Sequence, residues 1–196
     1  MKSLIQTVEQ FTGLSVNDIL EISKKSQNTY KKYSIPKKRK GHRKISHPSK
    51  ETKLLQYACV ELLIDYIKPH PAAHGYIRGQ KSPLLNNASK HAKQPFLLRV
   101  DFKDFFPSIR PADLFEILKV DKVINDIKLT ENDQHFLENV FFLQNPDGSK
   151  GLPIGAPSSP WVSNIIMIDL DSQLSTLAEK NDFIYTRYAD GLHPKS

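Results

Sequence analysis

The sequence predicts an α+β fold. Three observations carry this: several segments repeat apolar residues at helical spacing, a few short runs are β-branched or aromatic, and no strand–helix–strand repeat would build a parallel sheet. The chain has 196 residues, enough for one good core or two closely joined subdomains.

Leu4, Ile5, Val8 and Phe11 recur at helical spacing, and after Gly13 a cap at Ser15 opens a second helix with Val16, Ile19, Leu20 and Ile22. Residues 30–35 and 43–47 read as two strands around a basic turn at 36–42. Ser49 then caps a helix from Glu51 to about residue 68, with Leu54, Leu55, Ala58, Leu62 and Tyr66 on one face and Pro69 as its stop. Residues 69–79 are loop-like. Ser82-Pro83 pairs an N-cap with a proline at the first helical position, so a short helix carries Asn87 to His91.

Residues 96–102 are a nearly continuous apolar run, as in a strand covered on both faces. Pro111 opens a helix through Leu118, and Thr130-x-x-Asp133 has the form of a capping box before Phe136, Leu137, Val140 and Phe141. Asn145-Pro146-Asp147-Gly148 signals a hairpin turn. Ser158-Ser159-Pro160 opens the longest predicted helix, 161–179, and 183–189 is the last strand.

The 28 Lys and Arg exceed the 21 Asp and Glu by seven. Twelve basic residues and one acid, Glu51, lie between Lys24 and Lys53. Such a block favours a polyanion, because each cation that displaces a counterion from a phosphate adds binding free energy. Tyr30, Tyr33, Ile35 and Ile45 interleave with these charges, which predicts a folded basic hairpin in place of a solvated tail. Cys59 is the sole cysteine, so neither an intrachain disulfide nor a cysteine metal site is available. The first residues lack a signal-peptide core, and no stretch approaches a membrane span, so a cytoplasmic, membrane-free protein is expected.

Four segments carry chemistry. Val100-Asp101-Phe102-Lys103-Asp104-Phe105-Phe106 places a carboxylate at the end of an apolar strand. Gly151 to Pro160 is a Gly/Pro-rich turn entering a helix N-terminus, where free N–H groups suit a phosphate. Tyr188-Ala189-Asp190 supplies a second strand-end carboxylate, and two such aspartates are what a two-metal nucleotidyl-transfer site needs. Residues 45–56 add cations. Each has a plainer reading: Asp101 as a turn cap, Phe105 and Phe106 as core, His91 as a surface or satisfied histidine. His70 and His74 have helical ligand spacing, but Pro71 interrupts it and no third ligand is evident.

Taken in this order, the segments resemble a reverse transcriptase, and Asn87-Ala88-Ser89-Lys90-His91 matches the Asn-Ala-x-x-His signature of the bacterial retron type. The resemblance implies a right-hand polymerase fold, with N-terminal helices and basic fingers in 1–95, a partial palm in 96–196, and the thumb absent. It implies that Asp101 and Asp190 hold two Mg²⁺ ions, with the Phe102 carbonyl as a backbone ligand. Phe106 would reject a ribose 2′-OH; Lys50, Lys53 and Arg78 would neutralise the triphosphate; Gly155, Ala156 and Pro157 would shape the nucleotide pocket. Lys37, Lys38, Arg39, Lys40 and Arg43, with Asn87 and His91, would form the surface that recognises RNA. The implied partners are a structured non-coding RNA as template and primer, dNTPs, and an effector protein in anti-phage defence.

Two positions depart from the family pattern. Ile154 stands where many relatives have Gln. Gly191 stands where the Tyr-Ala-Asp-Asp turn has its second Asp, which predicts weakened metal affinity and an impaired or inactive chain. Residues 191–196 lack apolar alternation, so no return strand is expected after Asp190, and a frameshift or premature stop within the codons for the active-site turn is the expected origin of that tail. Two further readings remain open: a non-enzymatic RNA-binding module, and another palm enzyme such as a nucleotide cyclase, which the basic fingers and the Gly151–Pro160 turn disfavour.

Overall fold

The computed structural model describes residues 2–36, 41–120 and 129–195. In chain order the first elements are α1 (Leu4–Thr12), α2 (Val16–Lys25), β1 (Lys31–Pro36), β2 (His42–His47), α3 (Lys50–Ile64), α4 (Pro83–His91) and β3 (Val100–Asp101). There follow α5 (Phe105–Ser108), α6 (Pro111–Val120), α7 (Glu131–Phe141), β4 (Leu143–Gln144), β5 (Lys150–Gly151), α8 (Ser159–Ile166), α9 (Ile168–Lys180), β6 (Ile184–Tyr188) and β7 (Gly191–Lys195). The mixture is α+β, as predicted. Two compact units divide the chain: Met1–Ile67 with Phe106–Ser159, and Lys68–Phe105 with Pro160–Ser196.

The first unit is a helical core with a basic hairpin. Ser3 and Gln6 make a reciprocal capping box on α1, and Gly13 ends that helix at φ 74°, a left-handed state that glycine adopts without a Cβ clash. Thr130 and Asp133 repeat the capping box on α7. Asp133 is fully buried and also accepts a 2.9 Å hydrogen bond from the Ile5 backbone N–H, so one carboxylate ties the starts of α1 and α7 together. Leu4, Val8, Ile19, Leu55, Phe136, Leu137 and Phe141 fill the space between these helices. Burial pushes the Cys59 thiol well above its usual range, with Asp133 adding to the effect, so that sulfur is held as an inert thiol.

The buried face of α3 differs from the expected one. Leu55 and Ala58 are buried as expected, but Leu54 is exposed, and the core face also takes in Thr52, Gln56, Cys59 and Leu63. Thr52 and Gln56 are polar, so apolar periodicity does not signal them. Each finds a hydrogen-bond partner in the core: Gln56 Nε2 donates to the Val140 carbonyl at 2.7 Å and to the Tyr30 hydroxyl at 2.9 Å, and Thr52 Oγ1 lies 3.0 Å from Thr29 Oγ1.

β1 and β2 form the predicted antiparallel hairpin, in the register Tyr33↔Ile45 and Ile35↔Arg43. Its strands are largely solvent-exposed, and Lys31, Lys32, Arg43 and Lys44 are all on the surface. Lys37, Lys38, Arg39 and Lys40 lie outside the described residues. The predicted hairpin around 145–148 forms between β4 and β5, where Asn145 N–H donates to the Ser149 carbonyl at 2.7 Å.

The second unit contains a three-stranded antiparallel sheet in the order β3-β7-β6. Three expectations fail here. Ser82 does not cap α4; its φ is 51° and its side chain makes no cap bond, so Pro83 alone starts the helix. The helix predicted over 161–179 is interrupted at Met167 into α8 and α9. The run 96–102 is not a doubly covered strand: only Val100 and Asp101 pair, and Phe96, Leu97 and Leu98 are 74%, 54% and 61% exposed. A continuous apolar run states a preference for burial, but no described element packs over it.

The tail also departs from expectation, in the opposite sense. Residues 191–195 form β7, the central strand, paired to β6 through Tyr188↔Gly191, Arg187↔Leu192 and Thr186↔His193 and to β3 through Asp101↔Gly191. Strand pairing is made by backbone groups, and it does not require the side-chain alternation that the tail lacks. Pro194 has no N–H to give, but it lies beyond the two residues that pair with β3, at the only stretch where β7 has one neighbour.

Candidate active site

Both candidate metal ligands belong to the second unit, and the sheet brings them together. Asp101 ends β3 opposite Gly191, and Asp190 is the residue before Gly191 in the tight turn from β6 to β7. The Phe102 N–H donates to the Asp190 carbonyl at 3.1 Å, which ties the two strand ends backbone to backbone. Asp101 is exposed and Asp190 half-buried, so two hard carboxylate donors sit at one edge of the sheet within reach of solvent cations. Phe102, half-buried, stacks its ring on Phe105 with centroids 5.4 Å apart, which fixes the chain just past Asp101.

The turn that carries Asp190 is under backbone constraint. Ala189 has φ 57°, uncommon for a residue with a Cβ. Three contacts hold it there. Arg187 Nη1 donates to the Ala189 carbonyl at 2.9 Å. Gly75 lies so close that a Cβ placed on it would stand 2.6 Å from the Ala189 nitrogen, so only glycine fits. Asn164 bridges the two, donating from Nδ2 to the Gly75 carbonyl at 2.9 Å and accepting from Arg187 Nη1 at 2.9 Å.

Arg187 is the centre of this arrangement. It is wholly buried, in an ion pair with the wholly buried Asp171 on α9. Arg187 Nε donates to Asp171 Oδ1 at 2.9 Å and Nη2 to Oδ2 at 2.8 Å, a two-pronged geometry that a lysine could not reproduce. The Tyr185 hydroxyl adds a 2.7 Å bond to Asp171, and burial, reinforced by that bond, pushes the Tyr185 hydroxyl well above its usual pKa. The backbone of β6 is anchored too: Arg187 N–H donates to the Ala72 carbonyl and His74 N–H to the Arg187 carbonyl, each at 2.8 Å.

The nucleotide-binding candidates gather mostly in the first unit. The Leu152 N–H donates to the Phe106 carbonyl at 3.0 Å, joining Phe106 to the Gly/Pro-rich turn. Ser46 N–H donates to the Ile154 carbonyl at 2.8 Å, and Gly155, at φ 114°, leaves no room for a Cβ because Ile45 Cγ2 would lie at 2.8 Å. Gly155 therefore lets the turn lie against β2. On the same strand His47 Nε2 is 2.5 Å from Lys53 Nζ, which orients that cation. Lys50 is exposed on the first turn of α3, Ala156 is buried and Pro157 half-buried. Arg78 is exposed and belongs to the second unit. Asn87 and His91, expected on an RNA-reading surface, are 7% and 4% exposed.

Sequence reading missed Arg187, Asp171, Asn164 and Gly75. The signal for the first was present: an arginine inside an apolar strand run must be paired if the strand is buried. Its partner sixteen residues earlier on a helix has no local signature.

These features bring two carboxylates to one end of a small sheet, and the comparisons name the family of the chain. Residues 35–193 match the family of reverse transcriptases (RNA-dependent DNA polymerases), and the chain belongs to that family. It is 35% identical over 166 residues to the retron Ec83 reverse transcriptase of Escherichia coli, covering 83% of this chain and 51% of that protein. It is 31% identical over 193 residues to the retron Ec86 reverse transcriptase of the same organism, covering 96% of this chain and 55% of that one. The retron Mx162 enzyme of Myxococcus xanthus is 32% identical over 170 residues, with 83% of this chain and 35% of that protein covered. The chain thus spans about half the length of the Escherichia coli relatives it matches. The structure of telomerase from Candida albicans aligns with a TM-score of 0.53 at 12% identity, covering 89% of this chain and 39% of that one, a likeness of fold. Among the described residues no helix is long and apolar enough to cross a membrane.

Two outcomes are expected. Asp171→Ala leaves the Arg187 charge buried and unpaired, and should lower unfolding free energy by about 3–5 kcal/mol in urea titration, whereas Asp169→Ala on the exposed side of α9 should change it little. His74 has its pKa lowered by burial, with Lys90 adding to the effect. The unfolded chain therefore binds more protons below the ordinary histidine value, so this group removes stability as pH falls through about 6.5 and has no effect above neutrality. Melting curves should fall from pH 7 to 5, and the fall should be shallower in His74→Gln.

Proposed function

We propose that this chain carries the fingers (1–95) and palm (96–196) portions of a retron-type RNA-directed DNA polymerase, which copies a structured non-coding RNA into DNA from dNTPs. The observation that carries the reading is the pair of carboxylates, Asp101 and Asp190, on strand ends tied together by one sheet. Carboxylate oxygens at a solvent-facing edge suit a hard divalent cation, so the residues fit Mg²⁺. Asp101 and Asp190 would hold it, with the Phe102 carbonyl as a third oxygen. When bound, such ions supply activation of a primer hydroxyl and neutralisation of the triphosphate.

The protein's own groups then have separate tasks. Lys53, held by His47, and the nearby Lys50 offer positive charge to phosphates, as does Arg78. The Phe106 ring, fixed through its carbonyl to the Gly/Pro-rich turn, would exclude a 2′-OH. Gly155, Ala156 and Pro157 give that turn a backbone that a nucleotide can approach closely. The exposed cations of β1 and β2, continued by Lys37, Lys38, Arg39 and Lys40, supply sequence-independent attraction to RNA. A role in anti-phage defence, with an effector protein as partner, completes the proposal on the strength of the retron relatives.

A second reading is favoured by one observation: Gly191 places no side chain where the family pattern has a carboxylate beside the metals. An RNA-binding module without catalysis would keep the basic hairpin and lose the reaction. Primer extension on a structured RNA with Mg²⁺ and dNTPs separates the two. The polymerase reading expects incorporation that Asp101→Asn abolishes and that Gly191→Asp raises by about tenfold or more, since a carboxylate beside the ions strengthens their binding. Salt-sensitive RNA binding with no incorporation, in both the native chain and Gly191→Asp, would establish the module instead.

A further inference from the structure

We infer that His91 is a positioning residue of the active-site strand, acting through Thr186, and that it does not contact RNA. The inference rests on the reading of Asp190 as a metal ligand. A side chain that reads RNA must face outward, and α4 turns Asn87 and His91 the other way while Ser89 and Lys90 stay exposed. Leu84 and Leu85 are 65% and 67% exposed, while Asn87 and His91, four residues apart and so on one helical face, point inward. Burying an imidazole and an amide is costly unless they hold something.

What His91 holds is β6. Its Nε2 lies 2.5 Å from Thr186 Oγ1, and both residues are buried. Successive side chains on a strand alternate between faces. Tyr185 and Arg187 turn to the face where Asp171 of α9 receives both, and Thr186 turns to the other, where His91 meets it. One edge of the strand pairs with β7, and the other is bonded to the backbone at Ala72 and His74. Thr186 is four residues before Asp190. The hydrogen bond from α4 thus closes the one side of β6 that the ion pair leaves open, and it sets the rotation of the strand that ends in Asp190.

The test compares His91→Ala, Thr186→Val and the double variant with the native chain. Thr186→Val keeps the side chain's shape and removes only the hydroxyl, and His91→Gln places an amide about where Nε2 lies; near-UV circular dichroism confirms that each is folded. Each single change should lower kcat about tenfold or more, as expected for a displaced catalytic group. The double variant should be no worse than the worse single one, because both remove the same bond. His91→Gln should recover part of the loss. The KM for dNTP and the Kd for RNA should stay within about twofold, since neither residue faces a ligand.

The inference is overturned if His91→Ala weakens RNA binding while Thr186→Val does not, if the two effects multiply, or if neither changes anything. Incorporation by the native chain bears on the polymerase reading alone. If there is none, the same cycle is read in Mn²⁺ affinity by electron paramagnetic resonance: equal, non-additive losses support the inference, and independent or absent effects overturn it.

Discussion

The buried ion pair between Arg187 and Asp171 is the constraint on which the rest of the second unit depends. Both side chains are fully removed from solvent, and two charges in that position give little net stability over a well-packed apolar pair. The geometry explains what the pair does instead. Asp171 fixes two prongs of the guanidinium, so the third must point along the strand to Asn164 and to the Ala189 carbonyl. The arginine converts the position of α9 into the position of a turn two residues away. An apolar replacement could fill the same volume but could not hold a carbonyl.

From that anchor the site follows outward. Ala189 is kept in a left-handed conformation, Gly75 presses its backbone against the turn, and Asp190 emerges beside Asp101 where β7 joins the two strands. Gly191 sits at the junction, paired to both Tyr188 and Asp101. It supplies the backbone that aligns the two carboxylates and withholds the third carboxylate that the family pattern places there. The backbone that brings Asp101 and Asp190 together is thus present, and Gly191 adds no side chain to it.

Much of this was legible in the sequence, and the reason is locality. The capping box at Thr130, the 145–148 turn, the basic hairpin and the two strand-end aspartates each depend on residues a few positions apart. What was not legible depends on distant partners. Gln56 and Thr52 read as polar and lie in the core, where Val140 and Thr29 are their distant hydrogen-bond partners. The 96–98 run reads as core and is exposed because nothing described covers it. Residues 191–195 were not expected to form a strand, yet they pair with β6 throughout and with β3 at 191 and 192, through backbone groups that carry no sequence signal. Asn87 and His91 were recognised as a motif, but their inward direction appears only when α4 is set against β6.

The central claim is that Asp101 and Asp190 form one divalent-cation site at the end of this sheet. Iron-directed backbone cleavage tests it most directly. Fe²⁺ substituted for Mg²⁺ and treated with ascorbate and peroxide generates radicals that cut the chain beside the bound ion. The account predicts cuts confined to the neighbourhoods of residues 101 and 190, suppressed by excess Mg²⁺ and lost together in either Asp101→Asn or Asp190→Asn. Cuts at only one of the two segments, or cuts that survive both substitutions, would contradict it.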